Sequence, residues 1–93
     1  MFERILSRIH ERVRRRQYVV TFHARREMNE DDLTIYDVEH AILSGKILER
    51  QRDIETHEAK YRIHGQTLEG VDLEVIVKIG PTGKLVVITV YLS

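Results

Sequence analysis

At Gly45 the spacing of apolar residues changes, and that change constrains the fold more than any motif does. Before it, apolar residues recur every three or four positions, the repeat of an amphipathic helix: Phe2, Ile5, Leu6, Ile9 and Val13, then Ile35, Val38, Ala41 and Ile42. After it they recur at every second position, the repeat of a strand that buries one side. A chain of 93 residues with 42% apolar content holds one modest core, so the two halves must share it. The pattern predicts a single α+β domain over residues 1–93, with two or three N-terminal helices packed on one face of a four-stranded antiparallel sheet.

Local signals set the boundaries. Residues 2–16 form one predicted helix, with Arg4, Arg8, Arg12 and Arg15 along its polar side. Tyr18 to Phe22 is β-branched and aromatic but too short to assign as strand or linker. Thr21 can then N-cap a second helix from Phe22 to Asn29. Thr34 and Asp37 resemble a capping box, with Asp in place of the usual Glu, at the head of a third helix that stops at Gly45. Four strands are predicted at Lys46–Arg52, Glu58–His64, Leu73–Ile79 and Leu85–Leu92. Gly80-Pro81-Thr82-Gly83 turns the last two into a hairpin, and Gly65 to Asp72 makes a longer loop before them.

Alternation assigns faces. In the last strand Val86, Ile88, Val90 and Leu92 form an all-apolar set, the natural core side, which leaves Leu85, Val87, Thr89 and Tyr91 on the other. In the second strand Tyr61 and Ile63 oppose Lys60, Arg62 and His64. Arg62, His64 and Tyr91 should therefore meet on the face turned away from the helices.

Cysteine is absent, which removes disulfides and thiolate metal sites. The longest apolar run is too short for a membrane helix, and no leader pattern opens the chain, so the expected setting is the cytoplasm, away from a membrane. The net charge is zero but unevenly spread: residues 1–26 carry +6, and residues 27–93 carry −6. Such a division suits a basic patch for a polyanion, or two halves that neutralise each other in the fold. Metal-ligand spacing, Gly-rich phosphate loops and a Ser-His-Asp order are all absent, so no cofactor or metal is expected.

Three segments carry a resemblance: His23-Ala24-Arg25-Arg26-Glu27-Met28, then Asp37 to Gly45, then Ile88-Thr89-Val90-Tyr91. Over His23 to Tyr91 the chain resembles the bacterial family called domain of unknown function 4258, with residues 18–93 as its core and 1–17 as a basic helix outside it. The family looks like a distant relative of the RelE/ParE toxins, small metal-independent endoribonucleases built on helices and a four-stranded sheet. The chain departs from the family pattern at Glu30-Asp31-Asp32-Leu33, where an Arg-Gly-Ile segment is usual.

The resemblance implies a RelE-like fold and an endoribonuclease acting on RNA, free or on the ribosome, with an antitoxin-like protein as cognate partner. Metal-independent RNA cleavage needs a base, an acid and fixed positive charge, which His, Tyr and Arg supply. The candidates are His23, Arg25, Arg62 and Tyr91 for catalysis, with Arg12, Arg14, Arg15, Arg16, Arg26, Lys60 and His64 for nucleic-acid contacts. His23 and Tyr91 are expected on the rim of one groove together with Arg62. Each has a plainer reading: His23 paired with Glu27 one turn on, a basic helix end suiting its own dipole, and a solvated sheet face. The alternative function is a non-catalytic module of a toxin-antitoxin-like system that binds protein or nucleic acid.

Overall fold

The computed structural model describes residues 1–93 as three helices and five strands. In chain order they are α1 (Glu3–Arg14), β1 (Tyr18–Val20), α2 (Phe22–Glu30), α3 (Ile35–Ser44), β2 (Lys46–Arg52), β3 (Ala59–Gln66), β4 (Asp72–Ile79) and β5 (Leu85–Leu92). Helices α2 and α3 begin at capping threonines. Thr21 accepts from the Ala24 amide at 3.1 Å to start α2. At α3 the expected box forms in both directions: Thr34 accepts from the Asp37 amide, and the Asp37 carboxylate accepts from the Thr34 amide at 3.0 Å.

The sheet runs in the order β1-β5-β4-β3-β2 and is mixed. Strands β2 to β5 form the expected antiparallel meander. The four-strand, all-antiparallel expectation is corrected by β1, the segment too short to assign from sequence, which pairs parallel to β5 through Tyr18↔Leu85, Val19↔Val86 and Val20↔Val87. Only three residues are needed because the flanks extend the ladder. The Leu85 amide donates to Gln17 O, and the Thr21 amide donates to Val87 O, both at 3.0 Å. Beyond that point α2 replaces the strand, and the Glu27 carboxylate accepts from the Val90 amide at 2.9 Å. The edge of β5 is thus occupied from Leu85 to the Val90 amide, as buried backbone requires.

The core lies between the helices and one sheet face. Ile9, Val13, Ala24, Met28, Val38, Ala41 and Ile42 from the helices meet Ile63, Leu73, Val75, Val77, Leu85, Val87 and Val90 from the strands. Each large aliphatic side chain buried there stabilises the fold by roughly 2 kcal/mol. Helix α3 comes closest to the sheet because two glycines make room for it. A Cβ on Gly65 of β3 would stand 1.8 Å from the Ala41 carbonyl oxygen of α3, and one on Gly45 at the end of α3 would stand 2.5 Å from the His64 carbonyl oxygen of β3. Gly65 lies on the covered face of β3, opposite Leu73, so the glycine is a packing requirement.

The face assignment of the last strand is overturned in its first half. Val86 and Ile88 were the expected core residues, but Leu85 and Val87 are buried instead, and Val86 and Ile88 are half-exposed. The reason is a bulge. Ile76 pairs with Thr89 while Val77 pairs with Val87, so Ile88 is an extra residue and the alternation inverts across it. Past the bulge the expected phase returns, with Val90 buried and Tyr91 on the open face. No helix is long and apolar enough to cross a membrane.

Candidate functional site on the open sheet face

The helices cover one side of the sheet and leave the other bare. On the bare side, strand alternation sets His64 of β3, Glu74 of β4 and Tyr91 of β5 in one row across the sheet, with Arg62, Ile76 and Thr89 in the next. Glu74 is the hub. Its Oε1 accepts from the Arg62 guanidinium at 2.6 Å and from the Tyr91 hydroxyl at 3.0 Å, and its Oε2 accepts from Ser93 Oγ at 3.2 Å. Arg62 also reaches Glu49 on β2 at 3.2 Å. The side chain of Glu74 is only 13% exposed, so these donors replace water that the carboxylate has lost.

The electrostatics follow from those contacts. The Arg62 guanidinium beside Glu74 holds its carboxyl below the usual range against the opposing effect of burial, with Tyr91 and Ser93 adding to the shift. Glu74 and then Glu49 raise the pKa of Arg62. Burial and then the hydrogen bond to Glu74 push the Tyr91 hydroxyl up. At neutral pH the cluster is therefore an ionised carboxylate, a guanidinium and a protonated phenol in direct contact.

Three further basic side chains of the open face are also paired. His64 Nε2 stands 3.3 Å from Asp72, Lys60 3.3 Å from Asp53, and Lys78 2.6 Å from Glu58. Asp53 is held down to about 2 by the Thr56 and Glu55 amides and then by Lys60. Arg62, His64 and Tyr91 thus share one face, as alternation predicts, with Lys60 farther along β3.

His23 does not join them. Its Nε2 lies 3.3 Å from Glu27, the partner offered by the plainer reading, and no hydrogen bond or ion pair links it to Arg62 or Tyr91. The expected common groove is missing, because none of the surface concavities is lined by His23, Arg62 or Tyr91. Helix α2 runs beside the edge of β5, where Glu27 meets the Val90 amide. Arg25 and Arg26 are exposed on α2 and make no ion pair.

The basic residues of α1 form a separate region. Arg12 donates through Nε to the Gly83 carbonyl at 2.8 Å, tying the helix to the β4–β5 turn, and contacts Glu11 at 3.2 Å. Arg12, Arg15, Gln17 and Lys84 line a shallow concavity of about 430 Å³ there. Arg14, Arg15 and Arg16 are exposed without ion pairs, Arg16 at a positive φ of 56°. No three His, Asp or Glu side chains gather into a metal-ligating cluster.

Sequence reasoning missed Glu74, although a signal for it exists. In β4, Asp72, Glu74, Ile76 and Lys78 alternate with Leu73, Val75, Val77 and Ile79. Carrying the hairpin register one strand further would have set Glu74 beside His64 and Tyr91.

Among curated proteins and solved structures, none matches this chain. The family described as Domain of unknown function (DUF4258) matches residues 20–92, from the end of β1 to the end of β5. That span takes in α2, α3, the meander, and Arg62, Glu74 and Tyr91, while α1 falls outside it. On that match, covering most of its length, the chain belongs to the Domain of unknown function (DUF4258) family.

Proposed function

We propose that this protein is a RelE-like, metal-independent endoribonuclease whose working groups are Arg62, Glu74 and Tyr91, with His64 beside them. The observation that carries the reading is the single carboxylate, Glu74, bonded at once to a guanidinium and a phenol on an uncovered sheet face. Cleavage of RNA without a metal needs a base for the 2′-OH, a donor for the leaving 5′-oxygen and a cation on the phosphate. Glu74, Tyr91 and Arg62 match those three tasks in type and proximity.

The contacts of the free protein also suggest how the site is armed. An incoming phosphate competes with Glu74 for Arg62. Losing its guanidinium partner returns the carboxylate toward an ordinary pKa and makes it a better base. Glu74 then takes the 2′-OH proton, the 2′-oxygen attacks phosphorus, and Tyr91 protonates the departing 5′-oxygen, which leaves a 2′,3′-cyclic phosphate. Glu74 replaces His23 as the base because it touches both partners, whereas His23 is held by Glu27. On this reading Arg14, Arg15, Arg16, Arg25 and Arg26 give the polyanion a first foothold, and an antitoxin-like protein restrains the activity in the cell.

Incubating the purified chain with RNA in the presence of a chelator tests the proposal. Cyclic-phosphate ends, lost in Tyr91→Phe, support it, and intact RNA both free and on ribosomes overturns it. One observation favours a second reading, a non-catalytic binding module: Arg62, Lys60, Lys78 and His64 each already face a carboxylate. RNA retained without cleavage would favour that module.

A further inference from the structure

We infer that the outer edge of β2, with the apolar groove beside it, is a docking site for an acidic, extended segment of a partner protein. Strand β2 ends the sheet and pairs only with β3, so its outer backbone groups have no strand partner. The opposite end of the sheet is unlike it. There β1 is three residues long and passes directly into α2, which caps the remainder of β5 through Glu27.

Alongside β2 runs a concavity of about 660 Å³, floored by Phe2, just ahead of α1, and Ile5 within it, with Leu48 and Tyr61 of the sheet. Phe2 and Tyr61 meet edge to face, with centroids 6.4 Å apart, so the floor is preformed. Leu48 sits at the break in register between Ile47 and Glu49, and the bulge leaves it 43% exposed beside that floor. An apolar groove next to an open strand edge is the geometry that β-augmentation uses. Main-chain hydrogen bonds supply affinity there, and side-chain pockets supply selection.

Charge selects the occupant. Strand β2 carries Lys46, Arg50 and Arg52 against one carboxylate, Glu49, which Arg62 already holds. Arg4 and Arg50 stand on the rim of the groove without ion pairs. Cations on an edge strand also deter self-pairing, and that argument removes a second copy of this chain as the occupant. Antiparallel pairing centred on Glu49 sets Lys46 against Arg52, and pairing centred on Leu48 sets Lys46 against Arg50. A segment with an apolar centre and acidic flanks satisfies both the floor and the rim. The groove meets the open-face cluster only at Glu49, which Arg62 holds, and uses none of its working groups, so either can fail alone.

Hydrogen exchange on the full chain tests the inference, with a short synthetic peptide of Val-Leu-Val flanked by glutamates as probe and its lysine-flanked counterpart as control. The acidic peptide should slow exchange in β2 and bind at least about tenfold more tightly than the basic one. Combined Arg4→Glu and Arg50→Glu should reverse that preference, and both residues are exposed, so the fold survives the change. Equal binding of the two peptides, no protection of β2 at millimolar peptide, or protection confined to another edge overturns the inference. So does protection of β2 that grows with protein concentration alone, since that would make a second copy the occupant.

Discussion

On its covered side the sheet buries Ile63, Val75, Val77, Val87 and Val90, each at most 1% exposed, and on its bare side the same three strands present Arg62, Glu74, Lys78 and Tyr91. The first side is apolar and closed by three helices; the second sets ion pairs among half-exposed Ile76, Val86 and Ile88. Stability and chemistry are therefore divided between the two faces of β3, β4 and β5. Substitutions on one face should unfold the protein, and those on the other should leave it folded and alter what it does. A second contrast runs beside this one. Lys60, Arg62 and Lys78 of the bare face are held by carboxylates, whereas Arg14, Arg15, Arg16, Arg25 and Arg26 on the helical side have no such partners.

The largest expected effect lies on the covered face. Truncating Ile63 to Ala should cost about 4 kcal/mol in a urea titration, because a fully buried side chain leaves a cavity under α3. Ile76→Ala, on the bare face of the neighbouring strand, should cost about 1 kcal/mol. Equal losses would erase the distinction between the faces.

Neutralising Arg12, Arg14, Arg15 and Arg16 together should weaken RNA binding about tenfold or more at low salt and flatten its salt dependence, since Arg14, Arg15 and Arg16 stand exposed and unpaired in succession at the end of the basic helix. An unchanged salt slope would move the foothold elsewhere. Stability against acid should show a smaller effect. Glu74, Glu49 and Asp72 all have folded pKa values below their ordinary ones, so their contribution is complete above the unfolded pKa and is lost as the pH falls through the folded one. Stability should decline from about pH 5 downward, and Glu74→Gln should make that decline shallower. An identical pH profile for the variant would mean that the network adds nothing to folding. The smallest effect is expected for Tyr18→Phe, which removes the half-buried hydrogen bond to Glu39 that, with burial, pushes Tyr18 up to about 12. A loss of about 1 kcal/mol should appear in the same titration.

Much of this arrangement could be read from the chain. The change of period at Gly45, the two threonine caps and the alternation in β3 gave the helices, the meander and the shared face of Arg62, His64 and Tyr91. Reasoning failed where two phases of a pattern were equally apolar. In β5 both Leu85/Val87 and Val86/Ile88 suit a core, and only tertiary packing decides where the bulge falls. Strand β1 was hidden by its length, because three residues carry no periodicity and a parallel partner lies far along the chain. Glu74 escaped notice because its role depends on register with two other strands. His23 was grouped with Arg62 and Tyr91 from motifs far apart in the chain, and the structure sets it against Glu27 one turn on, apart from both.

The central claim is that Glu74 is the base of an RNA-cleaving site on the bare face. Single-turnover cleavage by wild type and Glu74→Gln, at equal occupancy and with a thermal melt of each, tests it most directly. The account predicts a rate about a hundredfold or more lower in the variant, with RNA affinity retained and a cooperative melt lowered only by the lost ion pair to Arg62. Cleavage by the variant at the wild-type rate would contradict it.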